Sequence, residues 1–295
     1  MKIFFIGNVK FSSELLKSIL RVDFIEIVGV ATKSKSDFNS DHYDLSKLIE
    51  KENIPYKYVK DINAPHIVEW IKSLAPDYIF CFGWSSLLKE KVLQITPNRV
   101  IGYHPAKIPE NRGRHPLIWA LVLGLKETGS TFFIMDQSAD TGDIISQEAV
   151  KIDKSDTALT LYNKIIETAI TQIHELLPKM VSNSIVLKKQ PLSKGNEWRK
   201  RSRNDGLIDF RMNSQSIYNL VRALTKPYPG AEIQFAHERY QIWESRIGKC
   251  NFLNIEPGKV LRISDNEIEV KTSDSSIILV DHTLDQLPKE GDYLI

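Results

Sequence analysis

Five short strand-like segments, most of them apolar runs, alternate with helical patterns and constrain the first hundred residues more tightly than any other feature. The segments lie at residues 2–6, 25–31, 54–59, 77–82 and 100–104, and the last is cut off by Pro105. Between them come Leu15, Leu16, Ile19 and Leu20 at helical spacing, helical patterns at 45–51 and 65–73, and a segment led in by Gly83-Trp84-Ser85-Ser86 that stops before Pro97. Continuous rather than alternating apolar runs describe strands covered on both faces. Strands alternating with helices predict an α/β fold with a Rossmann-like, doubly wound, mostly parallel sheet.

After Pro105 the pattern changes. Pro109, Gly113 and Pro116 mark an irregular loop rich in Arg and His, followed by a helix at 117–123. Extended segments at 129–135 and 143–152 flank a polar turn, and 157–181 reads as an amphipathic helix with Leu161, Ile165, Ile166, Ile170, Ile173 and Leu177 on one stripe. A polar, basic stretch at 182–205 reads as a connection, and a helix at 214–224 precedes Pro227-Tyr228-Pro229-Gly230. Short segments at 231–235, 240–247, 258–263, 267–272 and 277–280, with turns at Asp265-Asn266 and Ser273-Asp274, predict a smaller β-rich, OB-like domain. The expected organisation is therefore a catalytic domain over 1–190, a linker over 191–205 and the β-rich domain over 206–295.

Bulk properties exclude several classes. A net charge of +2 with 26% charged and 42% hydrophobic residues calls for neither nucleic acid nor an anionic membrane. Residues 2–6 are too short for a signal core or a membrane span, so a soluble cytoplasmic chain is expected. The two cysteines are far apart, and Cys81 sits in an apolar run, as a buried thiol would. No His-x-x-x-His or Cys-x-x-Cys spacing indicates a metal.

Open α/β sheets bind ligands beyond the carboxyl ends of their strands. His104 ends such a strand, and Asp140 lies in the turn Ser138-Ala139-Asp140-Thr141-Gly142-Asp143. Brought together, an imidazole and a carboxylate can share a proton and polarise a carbonyl, as acyl transfer to an amine requires. Spacing alone does not bring them together, and a strand-end histidine serves as a cap or surface residue as readily as a catalyst.

The ordered series Ile101-Gly102-Tyr103-His104-Pro105-Ala106-Lys107-Ile108-Pro109-Glu110-Asn111-Arg112-Gly113, Glu127-Thr128-Gly129-Ser130-Thr131, Met135-Asp136 and Ala139-Asp140-Thr141-Gly142-Asp143 resembles the formyltransferases that use 10-formyltetrahydrofolate. Val221-Arg222-Ala223-Leu224 with Pro227 to Ala231, and Tyr240-Gln241-Ile242-Trp243, is similar to the second domain of the sugar-acting and tRNA-acting members. The resemblance implies His104 and Asp140 as catalytic residues. It implies folate contacts at Phe82, Gly83, Trp84, Ser85, Leu87, Asp136 and Asp140, with no metal. Acceptor contacts are expected at Gly7, Asn8, Tyr103, Pro105, Arg112 and Arg114.

One position departs from the family pattern. Where an Asn is expected two residues before the His, this chain has Gly102. Losing one oxyanion donor typically costs about 100- to 1000-fold in rate. Asn111 is a candidate substitute amide, although an Asn there also simply turns the loop. Arg112 and Arg114 read equally as diphosphate ligands and as solvated charges, and Trp84 and Trp119 as pterin neighbours or as core. The run Arg199 to Arg203 reads as a solvated linker rather than an RNA contact.

For the acceptor, the loop from Asn111 to Trp119, Tyr103 and the Pro227 to Gly230 segment resemble nucleotide-sugar N-formyltransferases of surface-glycan synthesis. The resemblance also allows a homodimer. The alternative of methionyl-tRNA is weakened by a short stretch at 32–44 of mixed charge, Lys33 and Lys35 against Asp37, Asp41 and Asp44, and by a pI near 8.3. A glycinamide ribonucleotide enzyme would lack the β-rich domain. A third reading is a non-catalytic ligand-binding homologue that has lost the Asn at position 102.

Overall fold

The computed structural model describes residues 1–36 and 40–294. Asp37, counted in the mixed-charge stretch after the second strand, lies outside them. The chain divides into two compact units. One comprises Met1–Gly113, Thr128–Val150 and Asn163–Trp198; the other comprises Arg114–Glu127, Lys151–Tyr162 and Arg199–Ile295. The second unit thus takes in two excursions from the first two thirds of the chain as well as its C-terminal third.

In chain order the elements are β1 (Lys2–Ile6), α1 (Lys10–Ile19), β2 (Glu26–Thr32), α2 (Ser46–Ile49), β3 (Tyr56–Tyr58), α3 (Pro65–Ser73), β4 (Tyr78–Cys81), α4 (Glu90–Leu93) and β5 (Val100–His104). There follow β6 (Arg112–Gly113), α5 (Pro116–Val122), β7 (Glu127–Ile134), β8 (Ile144–Lys151), α6 (Ala158–Val181) and β9 (Glu197–Trp198). The remainder is α7 (Ser214–Leu224), β10 (Ala231–Phe235), β11 (Glu238–Ile247), β12 (Val260–Ser264), β13 (Glu267–Lys271) and β14 (Ser276–His282).

The main sheet has the order β3-β2-β1-β4-β5-β7-β8. Strands β1 to β5 pair in parallel, and β7 joins β5 antiparallel. The two extended segments expected after residue 128 therefore close one edge of the sheet. Burial explains why β1 shows no alternation: Phe4 meets Trp70 of α3 edge-on at 5.2 Å, while Phe5 meets Phe82 at 5.6 Å. Ile3, Phe4, Phe5 and Ile6 are all fully buried. Each large apolar side chain buried in this way contributes about 1.5–3 kcal/mol. On α1, Phe11, Leu15, Leu16 and Ile19 form the covered stripe.

Strand order reverses between β1 and β4, so their carboxyl ends flank the crevice where open α/β sheets take ligands. Two elements are shorter than the sequence pattern predicts. The helix expected from 45 to 51 passes into a 3-10 turn at Glu50–Glu52 and ends on Asn53 at φ 54°, a left-handed stop. The helix after Gly83 starts only at Glu90, because the Lys89 N–H donates to the Asn63 side chain at 2.7 Å and fixes the start there.

The second unit carries an antiparallel sheet in the order β10-β11-β14-β13-β12. Ala236 and His237 join β10 to β11 with φ of 49° and 70°, the left-handed pair that a two-residue hairpin needs. Helix α7 is capped by the Asn213 side chain, which accepts from Ser216 N at 2.7 Å, and it packs on β11 and β14. Its Arg222 donates to the carbonyls of Asp153, Lys154 and Asp156 at 3.0–3.2 Å, tying in the segment before α6.

Candidate active site

His104 is the last residue of β5, and Pro105 follows with no N–H to continue the ladder. Alternation along the strand puts Gly102 and His104 on one face and Tyr103 on the other. Across the sheet, Gly102 pairs with Phe133 and His104 with Thr131.

Asp140 is delivered from the opposite direction by a turn built for it. The Asp136 carboxylate accepts from Ser138 N at 2.9 Å and from the Thr141 hydroxyl at 2.7 Å. Gly142 is required by close approach, since a Cβ there would lie 1.7 Å from the Ile134 carbonyl oxygen. Asp140 itself sits at φ 57°, which a short polar side chain tolerates better than most. Its Oδ2 comes within 3.4 Å of His104 Nδ1, with the two side chains 18% and 6% exposed. The same oxygen accepts from Gly113 N at 3.1 Å. The structure thus brings the two expected residues together at a carboxyl strand end, where partial burial strengthens their interaction.

The other face of the imidazole is occupied. His104 Nε2 donates to the Asn111 carbonyl oxygen at 2.9 Å. Asn111, at φ 63°, meets His104 through its backbone rather than its side-chain amide. A neutral imidazole carries one N–H, so it satisfies only one of these two acceptors at a time.

Gly102 is filled around rather than left open. A Cβ at this position would lie 2.7 Å from Phe133 Cζ and 2.8 Å from Met135 Cγ. The space that an asparagine side chain would enter holds apolar carbon, and Phe133 and Met135 continue into a cluster with Ile108 and Ile144.

The remaining expected site residues separate into groups. Gly7 and Gly83 close the ends of β1 and β4, with Gly83 at φ 68° beside Val9. Between them the Ser12 hydroxyl donates to the Phe82 carbonyl at 2.5 Å, and Phe82 itself is fully buried core. Asn8 is fully buried, and its side-chain amide has no partner among the described residues. Its carbonyl accepts from His42 Nδ1 at 2.9 Å. Trp84 Nε1 is likewise buried without a partner, and Lys33 Nζ stands 4.6 Å from the ring centre. Ser85 is half-buried and Leu87 exposed. The Asn8 amide and the Trp84 indole both lie beyond the carboxyl ends of adjacent strands, where open α/β sheets take ligands.

Tyr103 points away from His104. It stacks on Phe11 at 4.2 Å and its hydroxyl bonds Ser130 at 2.8 Å, so burial pushes its phenol above the usual value. The Pro105 carbonyl accepts from Thr128 at 2.9 Å. Arg112 pairs with Glu197 in the short β6–β9 ladder. Arg114 falls in the second unit, as does Trp119, whose indole donates to the Arg199 carbonyl at 3.0 Å.

Two residues around the pair escaped sequence reasoning. Gln190 Nε2 donates to the carbonyls of Asp140 and Gly142 at 3.0 and 2.6 Å, and Asn196 Oδ1 accepts from Asn111 N at 2.8 Å. Both lie in a polar stretch with no motif, some fifty and eighty-five residues from what they hold. Among the described residues no group of three His, Cys, Asp or Glu side chains is arranged to hold a metal, and no helix is long and apolar enough to cross a membrane.

A strand-end histidine facing a turn aspartate, on a doubly wound sheet followed by an antiparallel one, is an arrangement that acyl transfer can use. The chain belongs to the formyl transferase family: residues 1–180 match the formyl transferase domain and residues 200–288 its C-terminal domain. Among solved structures it is similar to WlaRD, a sugar 3N-formyltransferase determined in the presence of dTDP and 5-N-formyl-THF, with 21% identity, TM-score 0.68, and 97% and 99% of the two chains covered. An N-formyltransferase from Helicobacter canadensis, in complex with folinic acid and dTDP-3-aminofucose, aligns at TM-score 0.69 and 18% identity over 95% and 98% of the chains. Methionyl-tRNA formyltransferase from Clostridium thermocellum aligns at TM-score 0.60 and 19% identity over 84% and 94%.

Proposed function

We propose that this protein transfers the formyl group of 10-formyltetrahydrofolate to the amino group of a nucleotide-linked amino sugar, a step that would supply a formamido sugar for a surface glycan. The observation that carries the reading is the His104–Asp140 contact at the end of β5, in a chain that belongs to the formyl transferase family. The end-to-end likeness in fold to two sugar-acting enzymes supports the acceptor class.

In this reading the neutral amine attacks the formyl carbon, a new C–N bond forms, and the bond from the formyl carbon to the folate nitrogen breaks. His104 donates a hydrogen bond toward the oxygen that gains charge, and Asp140 holds the imidazole in place for that contact. The proton lost by the amine passes to the departing folate nitrogen, so the products are a formamide and tetrahydrofolate. With Gly102 offering no amide, His104 is the side-chain donor on its face of β5. The unpartnered indole of Trp84 and amide of Asn8 would hold folate and acceptor groups at the ends of β4 and β1.

Binding separates this from its competitors. Titration with 5-formyltetrahydrofolate, a stable analogue of the donor, should quench tryptophan fluorescence in the wild type and less so in Trp84→Phe. Nucleotide amino sugars should then bind the folate-loaded protein. Tight methionyl-tRNA binding that weakens steeply with salt would favour the tRNA reading instead. Failure to bind any folate would sink both.

A further inference from the structure

We infer that Asn196 and Gln190, on the stretch connecting the sheet to the C-terminal part of the chain, are positioning residues that hold the two halves of the catalytic pair in register. The inference rests on the reading of His104 and Asp140 as the reacting pair and extends it to residues that touch neither substrate nor imidazole.

The geometry runs in two arms from one segment. In the first, Gln190 Nε2 binds the Asp140 and Gly142 carbonyls, so one side chain clasps the backbone on both sides of Thr141. That clasp matters because Asp140 is held at φ 57°, a conformation the turn must impose rather than inherit. In the second, Asn196 Oδ1 accepts from Asn111 N at 2.8 Å, and the Asn196 carbonyl accepts from Arg112 N at 3.2 Å. Asn111 is the residue whose carbonyl meets His104 Nε2. Its N–H and C=O are thus both committed, one to Asn196 and the other to the imidazole.

The packing leaves the second arm little slack. Arg112 and Gly113 form a parallel ladder with Glu197 and Trp198. A Cβ on Gly195 would lie 2.1 Å from the Pro109 carbonyl oxygen, and one on Gly113 would lie 2.5 Å from the Trp198 carbonyl. Gly113 N then donates to Asp140 Oδ2, closing a circuit from Asn196 through the loop to the carboxylate. Because Nε2 is the nitrogen not facing Asp140, the Asn111 carbonyl fixes the ring plane in the resting enzyme. The same carbonyl must yield Nε2 when a substrate oxygen needs it.

The test compares Asn196→Ala with Asn196→Asp, which keeps an oxygen acceptor for the Asn111 N–H. Steady-state kinetics with 10-formyltetrahydrofolate and the amino-sugar substrate should show kcat lowered about 10- to 100-fold in Asn196→Ala, as expected for loss of orientation, with KM for the acceptor little changed. Asn196→Asp should recover most of the rate. Independently of turnover, long-range ¹H–¹⁵N spectra of the folded protein should show the His104 ring resonances, assigned by their absence in His104→Gln, displaced in Asn196→Ala and near wild type in Asn196→Asp. Gln190→Met supplies a second variant at the other arm, and its kcat should also fall.

Wild-type kcat and unmoved His104 resonances in Asn196→Ala would overturn the inference. Equal losses in Asn196→Ala and Asn196→Asp with unmoved resonances would do so too. If His104→Gln turned over normally, the catalytic reading would fall instead. The His104 resonances in Asn196→Ala would then still decide whether Asn196 orients the ring.

Discussion

Gly102 and Phe133 are paired across β5 and β7, and the Phe133 ring occupies the volume into which a side chain at position 102 would project. The departure from the family's asparagine is therefore built into the packing of both strands. Gly102→Ala is expected to lower stability by about 1–3 kcal/mol through overpacking, read from denaturant melts. Gly102→Asn alone should not raise kcat. Combined with Met135→Ala, which clears the second obstructing side chain, it should be less destabilising than the sum of the single changes, by roughly 0.5–3 kcal/mol. Additive costs would show that Met135 does not exclude the amide.

Tyr103 was expected near the acceptor but lies on the face of β5 opposite His104, its hydroxyl bonded to Ser130. Tyr103→Phe should then cost about 0.5–1.5 kcal/mol of stability, the net worth of one hydrogen bond, and leave KM for the acceptor unchanged. A raised KM with intact stability would return Tyr103 to the substrate site.

Gly142→Ala tests the Asp140 turn. With a Cβ directed at the Ile134 carbonyl, the turn must move. The expected outcome is a folded protein whose kcat falls more than about 10-fold, since small displacements of a catalytic group are costly. Wild-type turnover would mean that the placement of Asp140 is unimportant.

His115 titrates below the usual imidazole value, first because it is partly buried and then because Arg114, Arg201 and Lys200 surround it. With the folded pKa depressed, the unfolded chain takes up the proton first as pH drops below about 6.5. Stability should fall across that window in the wild type, and His115→Gln should remove part of the fall. Parallel profiles for the two proteins between pH 7 and pH 5 would contradict this.

Burial alone pushes the Cys81 thiol up to about 12. The native protein should therefore resist alkylation of Cys81 by iodoacetamide at neutral pH, as mass spectrometry would show, and react once unfolded. Rapid native labelling would mean that β4 opens locally.

Much of the sheet was legible because its central strands β1, β4 and β5 are buried on both faces and announce themselves as apolar runs; β5 matches its expected span residue for residue. Helices α3 and α7 were equally plain, one opened by Pro65 and the other capped by Asn213. Helix starts set from a distance were not: Asn63 holds Lys89, the residue before α4, and no local pattern encodes that bond. The basic run after Trp198 reads as solvated charge, yet Arg203 pairs with the Glu232 carboxylate at 2.7 Å and Arg199 with Asp205. At the site, His104 and Asp140 were nameable from motif, and Gly102 was visible as a departure. What fills its space, and the clasp by Gln190 and Asn196, depend on contacts across thirty to eighty-five residues of chain.

The most direct measurement is the initial rate of formyl transfer from 10-formyltetrahydrofolate to a panel of nucleotide-linked amino sugars, by wild type, His104→Asn and Asp140→Asn. The account predicts that wild type formylates at least one sugar amine and that each variant, folded and still binding folate, loses about 100-fold or more in kcat. Unchanged turnover in both variants, or formylation of methionyl-tRNA with none of the sugars accepted, would contradict it.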